Sequence, residues 1–406
     1  MPTLNHSLRT QRSVNVLTPP VSTTTSLPPF GAVWVRWFNS ISSLDHHEWD
    51  SLVEDSNFFN SYRWLQSLEY FSRPRSVLTV FGPGGLLAGC PIWEGQPDDP
   101  LFSPSHWFTG LPGPWEEKFL WVGAYRSTHN ELICGHGARH QEALALLLHE
   151  LQNKANHDGL AGVLLPYMPL KRALYISSYH PDAQVLLHDA EASQHISPGG
   201  LDDTISSWKK HYRTRTRAEI NAFHNQGNQI EWSPITPALE EILVNLVAMN
   251  RSKHGATTGE SWMRKVFMSQ HQSKAIDHSI VALSRNKGKI NAATIFYRFG
   301  NSLHARYFGS DYTEEKDDFR YFVLSYYAPL RYAPKHGLKT SHLSVSALDA
   351  KAKRGGCIEP LATVAILRKE KLADDLVKKH NFAVVDSHQN RFRKHLASEW
   401  FNDGII

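Results

Sequence analysis

The chain has 406 residues, a net charge of +4, 41% hydrophobic and 20% charged residues, and only three cysteines, at positions 90, 134 and 357. That length exceeds what one hydrophobic core ordinarily serves, so two domains are expected; no apolar run approaches the roughly 20 residues of a membrane helix. Three scattered cysteines argue against a disulfide framework and against a zinc site, and fit a reducing cytoplasm.

The first 30 residues include TPPVSTTTSLPP at 18–29, without the apolar core of a signal peptide, and predict a disordered tail. From Leu44, the spacing of Trp49, Leu52, Val53, Phe58, Tyr62, Leu65 and Leu68 predicts two helices with a break at 55–57. His46-His47 is expected at a solvated helix start, and no histidine pair has metal-ligand spacing, so no metal is expected. SVLTVF (76–81) and LLAGCPIW (86–93) flank Gly82-Pro83-Gly84-Gly85 and predict a hairpin. Strands are expected at 119–125, 161–168 and 183–189, with a helix over 139–159.

After Pro-Gly-Gly at 198–200, the run SSWKKHYRTRTRAEINAFHNQGNQIEW (206–232) holds an expected basic helix over 208–224 with Trp208, Tyr212, Ile220 and Phe223 on one side. Lys209, Lys210, Arg213, Arg215 and Arg217 crowd its start, against the macrodipole. Phosphate binding would reward them; a solvated basic face is the alternative. A second helix is expected at 237–255. SIVALS (279–284) and KINAATIFYRF (289–299) then form a hairpin, and SLHARYFGS (302–310) a third strand. An acidic loop, DYTEEKDD (311–318), precedes a helix over 319–335, and strands follow at 341–348 and 362–368.

Hairpin, strand, helix, strand thus occurs twice. The chain is expected to be α+β, with two tandem domains of similar order at 31–200 and 201–370, each a mixed, mostly antiparallel sheet flanked by helices, and a helical tail at 371–406. The order is that of the GNAT acyltransferase fold, in which the third strand splays from its neighbour and an acyl donor lies in the gap.

Amide formation needs an activated carbonyl, a group to take the amine's proton and donors for the oxyanion. Asp311, Tyr326 and Tyr327 are the candidate catalytic residues, each with a bland alternative in loop capping or core packing. Arg306, Lys351, Lys353 and Arg354 are candidate substrate-binding residues, the last three in a basic loop closed by Gly355-Gly356. Five carboxylates against one lysine in the loop 311–318 disfavour a bound pyrophosphate. No Gly-x-Ser-x-Gly, Walker-type loop, His-Glu-x-x-His or Cys-x-x-Cys occurs, which removes the common hydrolase, nucleotide-hydrolase and metalloprotease classes.

HARYFGSDY, FVLSYYAPLRYAPKHGLK and KRGGCIEP, after WKKHYRTRTRAEINAFHNQG and NAATIFY, resemble the Fem-like branch of the GNAT superfamily. The resemblance implies transfer of an aminoacyl group from aminoacyl-tRNA to an amine of a small molecule or cell-wall precursor, with no cofactor. An acyl-coenzyme A-dependent N-acyltransferase and a non-catalytic binding module are the alternatives. Two departures stand out. The family's acidic residue before Tyr-Tyr is replaced by Val323, so a role carried by that glutamate does not transfer, and Pro329 should kink the helix.

Overall fold

A computed structural model describes residues 32–54, 57–72, 76–93, 99–313 and 318–402. The tail expected at 1–30 and part of the acidic loop, 314–317, lie outside the described residues. Twelve of the strands run in one continuous sheet. From one edge the order is β1 (Trp34–Phe38), β2 (Ser76–Gly82), β3 (Gly85–Trp93), β4 (Leu120–Val122), β6 (Gly162–Pro169), β13 (Cys357–Leu367) and β7 (Ala183–His195). It continues through β12 (Thr340–His342), β11 (Ser302–Ser310), β10 (Lys289–Phe299), β9 (Ser279–Asn286) and β8 (Asn228–Ser233), while β5 (Ile133–Cys134) pairs with β3 off this path. The β4–β6 and β11–β12 pairs are parallel and the other pairings antiparallel.

The local signals built what they predicted where turn chemistry was strong. The hairpin of β9 and β10 closes through Lys287 and Gly288, both at positive φ (48° and 79°), as a two-residue turn of that kind requires. The helix Ala138–His157 buries Leu144, Leu147, Leu148 and Leu151 against the sheet. The two parts of the chain then interlock. β13, from the end of the chain, lies between β6 and β7, and β7 pairs with β13 over 183–193 and with β12 over 193–195. The C-terminal segment holds a helix, Asp374–Phe392, followed by two short helical turns at Arg393–His395 and Ser398–Phe401; the helix docks across β7, where Asn381 donates to the Val185 carbonyl (3.0 Å) and accepts from the Leu187 N–H (2.9 Å).

The basic helix is built over Lys210–Asn225; Gly227, at φ 81°, then turns the chain and 228–233 become the edge strand β8, on which Trp232 stacks against Tyr332. Two expectations are corrected. The strand expected at 341–348 is three residues long, because Ser344 (φ 69°) and Ala347 (φ 55°) adopt left-handed backbone and lead out of the sheet into the short helix Leu348–Ala352. The helix over 319–335 is interrupted: Arg320–Phe322 passes into a π-turn, Val323–Tyr327, before regular helix resumes at Ala328–Tyr332. Pro329 lacks an N–H and its ring would strike a carbonyl one turn earlier, so the wide turn just before it accommodates the kink.

Segment 100–115 covers β7 through aromatic packing. Trp107 stacks on His188 (centroids 4.5 Å apart), Tyr167 meets the same ring edge-on (4.6 Å), and His188 Nε2 accepts from the Tyr167 N–H at 3.2 Å. Burial, with His380 nearby, holds this imidazole well below its usual range. A depressed histidine binds fewer protons folded than unfolded, so its stabilising share is full above pH 6.5 and is lost as the pH falls further. Going from pH 6.5 to 5, that loss should reach at most about 2 kcal/mol. Urea unfolding of wild type and His188→Gln at both pH values checks this; the variant should show a smaller drop, and an equal drop would refute it.

Candidate functional site at the parting of β11 and β12

Parallel strands β11 and β12 pair through Ser302 with Thr340, Leu303 with Ser341 and His304 with His342, and then separate. β11 runs on to Ser310, while the chain after His342 turns out of the sheet. The segment preceding β5 lies alongside. Thr128 and Ser344 hydroxyls are 3.2 Å apart, and Arg306 Nη2 donates to the Arg126 carbonyl at 3.4 Å. The Arg306 guanidinium also lies 5.2 Å from the Phe59 ring centre and 5.7 Å from that of Trp64.

A buried cluster of charge and imidazole underlies this point. His129 Nδ1 and Glu191 Oε1 are 2.6 Å apart, with the two side chains only 8% and 2% exposed. Burial disfavours the imidazolium of His129, but Glu191 and two further carboxylates outweigh it and push its pKa up to about 9. Glu191 is held below its usual range, because His129 outweighs its own burial. His342 is pushed down to about 4 by burial, and His304 well below the usual imidazole range for the same reason. The rings of His304 and His342 stack at 4.7 Å, 8° from parallel, and none of their four ring nitrogens has a hydrogen-bond partner. Lys351 Nζ donates to the Ser344 carbonyl at 2.8 Å; burial pushes its pKa down to about 7, against the pull of Glu191 and Asp189. Glu359, which accepts from the Ser193 hydroxyl, is pushed up to about 7 by burial and by Glu191.

Of the residues singled out in the sequence, Lys351 belongs to this cluster and Arg306 lies beside it. Asp311 accepts from the Thr313 N–H (2.9 Å) and hydroxyl (2.7 Å), a loop-capping arrangement that holds its pKa below the usual range. Tyr326 and Tyr327 are both buried, and neither reaches open solvent. Tyr326 donates to the Tyr321 hydroxyl at 2.9 Å, and Tyr327 to Glu219 Oε2 at 2.6 Å. Glu219 also takes Arg354, with Nη2 to Oε1 at 2.7 Å and Nε to Oε2 at 3.0 Å, while that guanidinium lies 3.3 Å from the centre of the Phe322 ring. Glu219 thus supplies a carboxylate beside the helix whose own acidic position is Val323. Lys353 is exposed, as are Lys209, Lys210, Arg215 and Arg217, whereas Arg213 is half-buried and donates to the carbonyls of Trp208 (2.5 Å) and Ser206 (3.3 Å). The C-terminal segment joins this basic surface: exposed Lys394 depresses the pKa of Lys209, and Tyr212 meets His395 Nε2 at 3.1 Å.

His129, Glu191, His304 and His342 escaped the sequence reading. They come from four stretches far apart in the chain, and no local spacing links them. The sole trace is a histidine within each of the two short runs that pair, SLH at 302–304 and SHL at 341–343.

The FemAB-like family, described as peptidoglycan biosynthesis/recognition, matches residues 128–392, a span that takes in the whole cluster. The chain belongs to this family. Its fold is a large, mostly antiparallel sheet flanked by helices. Among solved structures it is similar to FemX, with 11% identity, 80% of this chain and 97% of that one covered, and a TM-score of 0.55. A conserved protein of unknown function from Bacteroides thetaiotaomicron aligns at 14% identity over 82% of this chain and 100% of its own, with a TM-score of 0.54. The C-terminal domain of a putative lysylphosphatidylglycerol synthetase from Agrobacterium fabrum aligns at 11% identity over 86% and 97%, with a TM-score of 0.50. At such identities these likenesses concern the fold. No curated protein sequence matches the chain. Among the described residues, no helix is long and apolar enough to cross a membrane.

Proposed function

We infer that the FemAB-like chain transfers an aminoacyl group from tRNA to an amine of a small molecule or cell-wall precursor. The observation that carries this reading is the adjacency of a basic surface to the parted strands. Trp208, at the start of the basic stretch, packs on the turn that follows Lys351, so tightly that a Cβ on Gly355 would come within 1.9 Å of its ring. Phosphates held by 209–217 would therefore lie next to the loop that carries the buried lysine of the cluster. The donor preference has separate support. Asp318, buried at the helix start after β11, accepts from the Arg320 N–H (3.2 Å) and Nε (2.8 Å) and from Asn228 Nδ2 (2.9 Å). A pyrophosphate brought to that helix start would meet a carboxylate before it met open N–H groups, which favours tRNA over acyl-coenzyme A.

In the reaction the amine nitrogen bonds to the ester carbonyl carbon, and the ester C–O bond to the tRNA 3′ oxygen breaks. One proton leaves the amine and one arrives on the departing oxygen. Lys351 is the group we assign to the developing oxyanion, as a donor anchored through the Ser344 carbonyl. Incubation with charged tRNA and candidate amines should give a ribonuclease-sensitive amide product. Lys351→Met, close in volume, should lower turnover by about 100-fold or more with the fold retained in circular dichroism. Turnover with acyl-coenzyme A in the absence of tRNA would overturn the donor assignment, and tRNA binding without turnover for any acceptor would leave a binding module.

A further inference from the structure

We propose that His129, Glu191 and His342 form a binding site for a divalent first-row transition-metal ion of the zinc type. One ligand atom from each side chain lies within 4.8 Å of the other two, and all three residues are buried. They arrive from independent elements, the segment before β5, the middle of β7 and the end of β12, so no single helix or loop accounts for their convergence. Two imidazoles and a carboxylate are a borderline nitrogen and oxygen set that suits zinc and its neighbours better than magnesium or calcium.

A second observation points the same way. Both ring nitrogens of His342 are buried and unpartnered, a condition that native interiors rarely leave unexplained. An ion in the space between the three side chains would take one of those nitrogens and replace the proton that His129 and Glu191 share. Ligands at about 2.0–2.2 Å from a tetrahedral ion stand roughly 3.5 Å from one another, so side chains now within 4.8 Å need only small χ rotations to close on it. The parallel stack of His304 on His342 fixes the plane of the ligand ring from behind. Three protein ligands leave a fourth position for water or another oxygen donor.

The test uses the full chain stripped with a chelator and then titrated with zinc or cobalt(II), with no tRNA or acceptor present. It is therefore independent of the transferase reading. The expected result is one equivalent of tightly bound zinc by elemental analysis, cobalt d–d bands typical of low coordination, and a thermal midpoint several degrees higher with zinc. The chain has 23 histidines, so binding elsewhere must be distinguished. Glu191→Gln and His342→Gln should each weaken zinc binding at least about 10-fold, whereas His304→Gln should keep the stoichiometric site. If a ligand variant fails to fold without metal, the wild-type cobalt spectrum decides. No stoichiometric metal in wild type, or unchanged affinity in both ligand variants, overturns the proposal.

Discussion

Replacing Glu219 with alanine is expected to cost about 3–5 kcal/mol of stability, the usual penalty for leaving one partner of a buried ion pair without the other. Glu219 and Arg354 are 4% and 8% exposed, and the glutamate carries both ends of the guanidinium as well as the Tyr327 hydroxyl. The truncation would strand a buried cation and a buried phenol together, leaving Arg354 the Ala350 carbonyl at 3.1 Å and the face of the Phe322 ring. Tyr327→Phe, by contrast, removes one hydrogen bond and should cost only about 1 kcal/mol. The double variant Glu219→Leu with Arg354→Met should regain much of the loss, since it removes both charges at once. Urea unfolding of the single and double variants measures the pair. A cost below about 1 kcal/mol for Glu219→Ala would mean that water reaches the network. The same series separates structure from chemistry at Tyr327: if its phenol takes part in transfer, Tyr327→Phe will lower turnover far more than its small effect on stability explains.

Elements whose cause is local were legible in the sequence. The hairpin of β9 and β10 announces itself through the Asn286-Lys287-Gly288 turn, and the helix Ala138–His157 through its leucine spacing. Less legible were the elements decided by a neighbour. β8 follows a helix without a proline break, and it is a strand because β9 offers it an edge. β12 stops after three residues because Ser344 and Ala347 take left-handed backbone, which neither residue type signals. The buried cluster was hidden for a stronger reason. His129, before β5, and Glu191, on β7, stand 62 residues apart in the chain, and His342 joins them because β12 adds to the end of β7, a pairing of distant strands that no window along the chain contains. Conversely, the basic stretch 209–217 was visible as composition, but its partner Lys394 and the structural engagement of Arg213 were not.

The engagement of Arg213 changes which residues should matter for tRNA. Its guanidinium is already committed to two backbone carbonyls, whereas Lys209, Arg215, Arg217 and Lys394 are exposed, with Lys394 close enough to depress the pKa of Lys209. Two ammonium groups brought that close repel each other, and a phosphate between them would turn the repulsion into attraction. Each phosphate contact contributes about 0.7–0.9 to the slope of log affinity against log salt. Glutamine at all four positions should therefore flatten the tRNA slope by about 3 units and, extrapolated from equal affinity near 1 M salt, weaken binding about 1,000-fold at 0.1 M. Glutamine is nearly as good a helix former as lysine or arginine, and Ile220 and Phe223 on the buried face are untouched, so the fold should persist. Arg213→Gln alone should leave the slope near that of wild type while lowering the unfolding midpoint slightly. Filter-binding or fluorescence titrations from 50 to 300 mM salt would decide. A quadruple variant that stays folded and keeps the wild-type slope would show that these cations only solvate the helix, and the search for a tRNA surface would move elsewhere on the molecule.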